Sequence, residues 1–383
     1  MKQLITILLL LLMTTPCLMA QRKELSQART YIKSGKYDDA ENLLNTLLND
    51  SANRQNRRVY LLLYDVLRHK YDQGNEKLYL KQRYDTTAFF ANTRKIFATL
   101  ETIDSLSPDD RTKHAAQAHL IRPNLFNGGT FYLHKSKWKE AFRYFETYID
   151  CMRQPLFMAY DYDSTDVRLP EAAYWTVFAG YMMHDPVLTL RHRRLALRDS
   201  ARADFTLMFV AEARRWLSDD SLYLQTLQEG FRRNPLFSYF FPRLMDFYTG
   251  RGQHEKALAV ADSALMVDDS NLLFLFAKSS ALLRLERYQE CIDYSTRIIA
   301  VNDTMAEPYF NAGTAYLNLA AGLDGKKERK LMKAAYHNAL FFMERYRALA
   351  PEQKQKWAPA LYRIYLNLNM GKQFDEIDHL LKK

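Results

Sequence analysis

The sequence predicts an all-α protein made of stacked pairs of antiparallel helices. Two observations carry this prediction: a 34-residue register with mostly small residues at two fixed points, and a low content of helix breakers. Only 12 Gly and 11 Pro occur among 383 residues, which favours long helices over turn-rich sheets. The two series of the register are Ala211, Met245, Ser279 and Gly313, and then Tyr223, Ala257 and Cys291.

The clearest single hairpin lies near the N-terminus. Ala28, Tyr31, Gly35, Tyr37 and Ala40 provide a small residue, an aromatic residue, a turn glycine, and the aromatic and small residues of a second helix. Such a set suits two helices in close antiparallel contact through a short loop. This pattern closely resembles the tetratricopeptide repeat (TPR). The resemblance implies a right-handed superhelical solenoid of antiparallel hairpins.

Further copies of the pattern define the expected organisation. One begins at Gly129, with Ser136 in place of the turn glycine and Trp138 in place of the tyrosine. Another begins at Gly313, and its second helix is delayed by a loop through Gly325. We expect a signal peptide at 1–20, N-terminal hairpins at 21–155 with a stretched insertion at 53–122, an irregular loop and off-register helices at 156–204, and a C-terminal array at 205–383 that ends in a degenerate capping repeat.

The first twenty residues have the layout of a secretory signal. Lys2 precedes an apolar run too short to span a bilayer comfortably, and we expect cleavage after Ala20. The mature protein would then be exported and periplasmic. One alternative is an uncleaved membrane anchor. Another is a lipid anchor at Cys17, although Pro16 departs from the usual pattern of such sites. Cys291 falls where the repeat needs a small residue, which predicts an inert core thiol.

A net charge of +10 raises the question of a polyanionic partner. For an exported chain the expected counterparts are anionic membrane surfaces, acidic glycans or acidic proteins rather than nucleic acid, and the alternative is that much of the charge lies on solvated helix faces. Arg191, Arg194, Arg198 and Arg202 share one face if their segment is helical. They are our candidate anion-binding face, for phosphate, sulfate or carboxylate groups. The alternative is a solvated stripe paired with neighbouring aspartates.

The TPR resemblance also implies where a partner would bind. In that family the concave groove is lined from the first helix of each hairpin, at fixed offsets from its small residue. The matching positions here are Phe205, Met208, Glu212, Tyr239, Asp246, Phe276, Phe310 and Thr314. An aromatic groove suits an extended peptide, a helix or a sugar face. The alternative is that these side chains are core stripes.

No sequence motif indicates catalysis, a cofactor or a structural metal. The alternating Asp161, Asp163 and Thr165 begin like a calcium loop, but the sixth and twelfth positions lack the required Gly and Glu. We therefore expect a solvated loop there, with calcium binding as the alternative. The sequence predicts a non-enzymatic scaffold that binds a protein or peptide in the bacterial envelope. The alternative is an outer-membrane-associated protein of the same helical type that binds a glycan or nutrient.

Overall fold

The computed structural model describes residues 22–382, and every regular element in that range is helical. The chain divides into two compact units: unit 1 ends at Ser218 and unit 2 begins at Asp219. The expected signal segment, including Cys17, lies outside the described residues. Within the described part of the chain, no helix combines the length and the apolar character needed to cross a membrane.

Unit 1 contains twelve helices within the described residues and two 3₁₀ turns, at Ser51–Asn53 and Pro155–Tyr160. The helices are α1 (22–33), α2 (Tyr37–Asn49), α3 (Arg57–Tyr79), α4 (Thr86–Leu106), α5 (Arg111–Ile121), α6 (Pro123–His134), α7 (Trp138–Asp150), α8 (Tyr162–Thr165), α9 (Leu169–Met182), α10 (Pro186–Arg191), α11 (Arg193–Ala196) and α12 (Ala203–Trp216). Successive helices pack as hairpins, notably α3 with α4, α6 with α7, and α9 with α10. The long α3 and α4 occupy most of the insertion predicted at 53–122.

Unit 2 contains the remaining helices of the described chain. They are α13 (Asp220–Arg233), α14 (Phe240–Thr249), α15 (His254–Leu265), α16 (Leu272–Arg284), α17 (Tyr288–Val301), α18 (Ala306–Gly322), α19 (Arg329–Leu349), α20 (Lys354–Asn367) and α21 (Gly371–Leu381). Each helix packs on the next one along the chain. The long hairpin of α18 and α19 confirms the delayed partner that the sequence predicts after Gly313.

The turn between the two helices of a hairpin has the same backbone geometry in both units. Gly35 and Gly252 occupy it with φ of 73° and 67°, in the left-handed region that glycine adopts without steric cost. Ser136 and Glu286 occupy the corresponding turns with φ of 54° and 60°. The substitution of Ser for Gly seen in the sequence therefore leaves the turn intact, at a local cost of about 1 kcal/mol.

Close helix approach in unit 1 depends on glycines at contact points. A Cβ on Gly129 would lie 2.6 Å from the ring of Phe145, so the absence of a side chain allows α6 to lie against α7. Gly180 is more restrictive, because a Cβ there would lie 2.5 Å from the backbone nitrogen of Thr189. In this way α10 is held backbone to backbone against α9.

A buried ion pair fixes the segment between α7 and α9. The side chain of Arg122 is 6% exposed and lies between the rings of Tyr148 and Tyr162, 3.7 and 3.8 Å from their centroids. Its Nη1 donates to Asp166 Oδ2 over 2.6 Å, and the Tyr148 hydroxyl donates to the same oxygen. Burial raises the pKa of the Tyr148 hydroxyl, which therefore remains a donor at neutral pH. Most positions of this loop are exposed, as predicted, while the Asp166 side chain, 10% exposed, anchors it to Arg122.

In unit 2, the buried polar contact between helices is a network of neutral side chains. Ser279 and Ser295 join α16 to α17 through a hydroxyl pair 2.7 Å apart. The amide of Asn311 on α18 donates to Ser279 Oγ over 3.1 Å. Cys291 is fully buried beside Ser279, with 3.6 Å between Sγ and Oγ, and burial raises the pKa of its thiol. The core position predicted for this thiol from the register is confirmed.

Candidate functional site

In unit 2, α14 and α16 are the first helices of two successive hairpins. Between them lies a pocket of about 680 Å³, which we call the unit 2 groove. Its floor is apolar: Phe241 is 2% exposed, and Phe276 is half-buried. Its rim is polar and includes Asp246 and Arg284, both exposed. The complete lining is Phe241, Pro242, Met245, Asp246, Thr249, Gly250, His254, Leu273, Phe276, Ala277, Ser280, Ala281 and Arg284.

The register explains why these residues meet. Met245 on α14 and Ser279 on α16 occupy equivalent positions of the register. Asp246 directly follows Met245, and Phe276 lies three residues before Ser279. On an α-helix, the residue one position after and the residue three positions before a given residue lie on the same side of it. Asp246 and Phe276 thus both line the space between α14 and α16.

Of the predicted groove residues, Asp246 and Phe276 share this pocket. Phe310 and Thr314 lie on α18, where Phe310 is half-buried with its ring centroid 5.1 Å from that of Tyr346. Tyr239 lies just before α14 and is only 7% exposed. The guanidinium of Arg243 covers its ring at 3.7 Å.

The other predicted groove residues lie on α12 and belong to unit 1. Phe205 is 46% exposed, whereas Met208 packs against the core of unit 1. Glu212 is 6% exposed, and its carboxylate accepts from the Arg215 guanidinium over 2.6 Å. Within α12, then, one of the three predicted side chains is exposed and the other two are engaged in packing or ion pairing.

A second pocket, in unit 1, was not named from the sequence. It has a volume of about 810 Å³ and lies between α4, α6 and α9; we call it the aromatic pocket. Its lining is Tyr84, Thr86, Phe90, Phe126, Asn127, Thr130, Phe131, Leu133, His134, Trp138, Arg168, Glu171, Trp175 and Phe178. The offsets used in the C-terminal register, applied to Gly129, give Phe126 and Thr130, so the same signal could have located it.

Edge-to-face ring contacts build the walls of the aromatic pocket. Phe178 lies 5.6 Å from Trp138 and 5.8 Å from Trp175, with nearly perpendicular ring planes in both pairs. The guanidinium of Arg168 stacks on Phe126 at 3.7 Å. This arrangement offers flat apolar faces next to a fixed positive charge, which suits a ring-shaped or aromatic ligand group.

A third pocket, of about 650 Å³, contains most of the predicted anion-binding face, and we call it the basic pocket. Arg191, Arg194 and Arg198 line it, together with Met152, Arg153, Asp163, His192, Arg193 and Leu195. The segment is not one helix, because the chain turns at His192 between α10 and α11. Three of the four arginines nevertheless meet, since both short helices pack against α9.

Arg202 points elsewhere. It forms ion pairs with Asp199 at 2.6 Å and Glu171 at 3.3 Å, and its guanidinium lies 5.6 Å from the ring of Tyr174. The assumption of a continuous helix over the four arginines is therefore wrong, and Arg202 is separated from the basic pocket. The predicted pairing of an arginine with Asp199 is confirmed for this residue.

The acidic loop directs its carboxylates to arginines. Asp163 accepts from Arg198 over 2.6 Å, and Asp166 is held by Arg122. Asp161 has φ of 45°, which places the chain in the left-handed region just before α8. Among residues 22–382, no group of three or more His, Cys, Asp or Glu side chains has the geometry to hold a metal ion.

Comparison with protein-family models gives no match, and no curated protein sequence matches the chain. Similar solved structures include the C-terminal part of a TPR repeat-containing protein from Cytophaga hutchinsonii, with 12% identity over 66% of this chain and 92% of that one, and a TM-score of 0.43. The MamA protein has 17% identity over 48% of this chain and 90% of that one, with a TM-score of 0.37. The human IFIT1 dimer with PPP-AAAA has 15% identity over 75% of this chain and 66% of that one, with a TM-score of 0.34.

The hairpins themselves identify the type of fold. In both units, antiparallel helices meet at small residues and are joined by the same left-handed turn. The register residues Ala257, Ser279 and Cys291 are all fully buried at such contacts. The chain is an all-α protein of tetratricopeptide-type helix hairpins.

Proposed function

We propose that the chain is a non-enzymatic scaffold that holds an extended segment of a partner protein in the unit 2 groove. One observation carries the proposal: the register positions of two neighbouring first helices form a pocket with an apolar floor and a polar rim. Extended peptides bind such surfaces by placing alternate side chains in apolar pockets, while polar groups fix the backbone.

The groove is supported from behind, which favours binding without rearrangement. Phe241 packs on Phe274 with ring centroids 4.5 Å apart, and both are nearly completely buried. A floor fixed in this way loses little conformational entropy when a partner binds. Asp246 and Arg284 place opposite charges on two different helices of the rim. These charges can therefore select one of the two chain directions in which an extended segment could bind.

Site-specific photo-cross-linking in the native host tests the groove. A photoreactive phenylalanine analogue at Phe276 or Leu273 should give the same adduct, since both residues line the pocket. The controls are Met266 and Val301, which are 81% and 70% exposed and lie outside it. The adduct should be lost in Asp246→Arg and kept in Asp269→Arg, a matched charge change at an exposed site. Adducts of equal yield from the control positions would refute the proposal.

We further propose that this scaffold works in the bacterial envelope as an exported protein. The signal-like segment with its expected cleavage after Ala20 supports the assignment. Intact mass measurement of the protein from periplasmic extract tests it, and a mature N-terminus at Gln21 is expected. A diacylglyceryl adduct on Cys17 would instead establish the lipid-anchored form, and an unprocessed chain in the cytosol would exclude both.

A second candidate function follows from the aromatic pocket. Trp138 and Trp175 expose part of their rings beside Glu171 and Asn127, and stacking on such faces is typical of sugar recognition. Titration with envelope oligosaccharides should quench tryptophan fluorescence in the wild type and in Trp357→Phe. The quench should disappear in Trp138→Phe/Trp175→Phe. An unchanged quench in that double variant would exclude sugar binding at this pocket.

A further inference from the structure

The basic pocket is a preformed feature of unit 1. One wall comes from the segment after α7, with Met152 and Arg153, and another from α10 and α11. Leu195 is 9% exposed and belongs to the core of unit 1, so it anchors the arginine-bearing segment from beneath. Arg191 is also tied to Glu146 on α7, and Arg198 to Asp163 on α8. These contacts hold the walls in place without a ligand.

The charges in this pocket do not balance. Five arginines line it, while Asp163 is the one acidic residue of the lining and is already paired with Arg198. Arg193 donates to the carbonyl of Leu190 over 2.8 Å, which leaves its charge uncompensated. Arg153 and Arg194 are exposed, and neither forms an ion pair with a carboxylate of the described chain. Three guanidinium groups therefore line one cavity without a salt bridge in the described chain, and one of them, Arg153, lies within electrostatic range of the Asp150 carboxylate.

A buried histidine lines the same pocket. The side chain of His192 lines the pocket and is 6% exposed, and its Nε2 has no hydrogen-bond partner among residues 22–382. The nearest carboxylate oxygen, Glu146 Oε1, is 3.8 Å away, beyond hydrogen-bond distance. The Nε2 of His192 therefore faces the Glu146 carboxylate, which also pairs with Arg191, so the case for a bound group rests on the other arginines of the lining.

We propose that the basic pocket binds the phosphate or sulfate group of a small ligand. Guanidinium groups donate pairs of parallel hydrogen bonds that match the oxygens of such groups. Two or three uncompensated positive charges favour a dianion over a single carboxylate, which one arginine would balance. A cavity of about 650 Å³ is larger than a free anion needs and has the size of pockets that hold small organic molecules. The ligand class is a phosphorylated or sulfated compound of about sugar size, and this site is independent of the unit 2 groove.

Isothermal titration calorimetry of the whole chain tests the proposal. The probes are glucose 6-phosphate, glucose 6-sulfate and inorganic phosphate, with glucose as the neutral control. Saturable binding of at least one anion and none of glucose is expected, and the affinity should fall as NaCl is raised. Tighter binding of the sugar ester than of inorganic phosphate would assign an esterified ligand, whereas equal affinities would assign the free anion. Absence of binding for all three anions would overturn the proposal.

A matched pair of double variants locates the site. Arg153→Gln/Arg194→Gln removes two exposed, unpaired charges from the pocket and should weaken anion binding about tenfold or more. Arg29→Gln/Lys33→Gln removes the same charge from exposed positions on α1 and should leave affinity within about twofold, because distant exposed charges are screened. Circular dichroism and melting curves should be unchanged in both variants. An equal loss in the two variants would show that only net charge matters and would refute a specific pocket.

Discussion

The two units differ in what they bury. Among the described residues, all buried side chains with a formal charge lie in unit 1, including Glu41, Asp104 and Arg122. The buried polar residues of unit 2 are Thr226, Ser279, Ser295 and Asn311, and all of them are neutral. Unit 2 largely follows the strict register, whereas unit 1 contains the stretched and off-register hairpins. Unit 2 thus buries only neutral polar side chains among the described residues, whereas unit 1 also buries charged side chains, which need an ion-pair partner.

The largest expected effect comes from removing one partner of the buried pair in unit 1. Arg122→Met should lower the free energy of unfolding by about 3–5 kcal/mol, because it leaves the Asp166 carboxylate buried without a counterion. Urea unfolding followed by circular dichroism measures the change.

The exposed pair Arg198–Asp163 is the control for that experiment, since both side chains are about half exposed. Arg198→Met should cost at most about 1 kcal/mol. The double variant Arg122→Met/Asp166→Asn should recover part of the loss, because no buried charge then remains unpaired. Equal costs for the two single variants would contradict the distinction drawn between buried and exposed pairs.

A smaller effect is expected from adding a methyl group at a helix contact. Gly180→Ala in unit 1 should destabilise by about 1–3 kcal/mol, because its Cβ would meet the backbone of α10, which cannot move aside. Gly313→Ala in unit 2 meets the flexible side chain of Met343 at 3.0 Å and Phe342 Cβ at 3.3 Å, both side-chain atoms, and should cost less, about 1 kcal/mol.

Gly322→Ala provides the baseline, because its added Cβ has no atom within 4 Å apart from its chain neighbours and the nearby backbone of its own helix. That change should be neutral or stabilise by up to about 1 kcal/mol through helix propensity. Melting temperatures of the three variants rank the contacts. If Gly180→Ala were as stable as Gly322→Ala, α9 and α10 would not be held backbone to backbone.

The smallest effect concerns pH. Burial alone would raise the pKa of Glu41, but hydrogen bonds and charge from Lys70 and Lys95 outweigh it and hold the pKa below its ordinary value of 4.5. A carboxylate with a lowered folded-state pKa contributes stability above about pH 4.5 that is lost as the pH falls further. Glu41→Gln should therefore destabilise at neutral pH, and its difference from the wild type should shrink on acidification.

Ser295→Ala in unit 2 is the matched control for Glu41→Gln in unit 1. Its hydroxyl bonds to Ser279, and neither group titrates in this range, so its effect on unfolding should be independent of pH. Urea midpoints for both variants, measured at several pH values between about 3 and 7, provide the result. A constant difference for Glu41→Gln would show that its carboxylate is not stabilised by the two lysines.

The sequence was sufficient for features that depend on near neighbours in the chain. The small and aromatic residues of one hairpin lie within a single repeat, so the hairpins, the turn at Ser136 and the delayed partner of α18 followed from their spacing. Arg122 and Asp166 are 44 residues apart, and no periodicity connects them. The basic pocket was predicted in part, because three of its arginines are close in sequence. Arg153 was missed and Arg202 wrongly included, since both depend on how α10 and α11 turn against α9.

The buried cysteines give each unit its own internal reporter. Cys151 in unit 1 and Cys291 in unit 2 are both fully buried, and burial raises the pKa of the Cys151 thiol to about 12. Almost no thiolate forms while a unit stays closed, so a thiol reagent can modify each cysteine only when its surroundings open. Labelling rates read by peptide mass spectrometry would then time the opening of the two units separately in one unmodified protein. The chain carries, without engineering, the means to ask whether its regular and irregular halves unfold together.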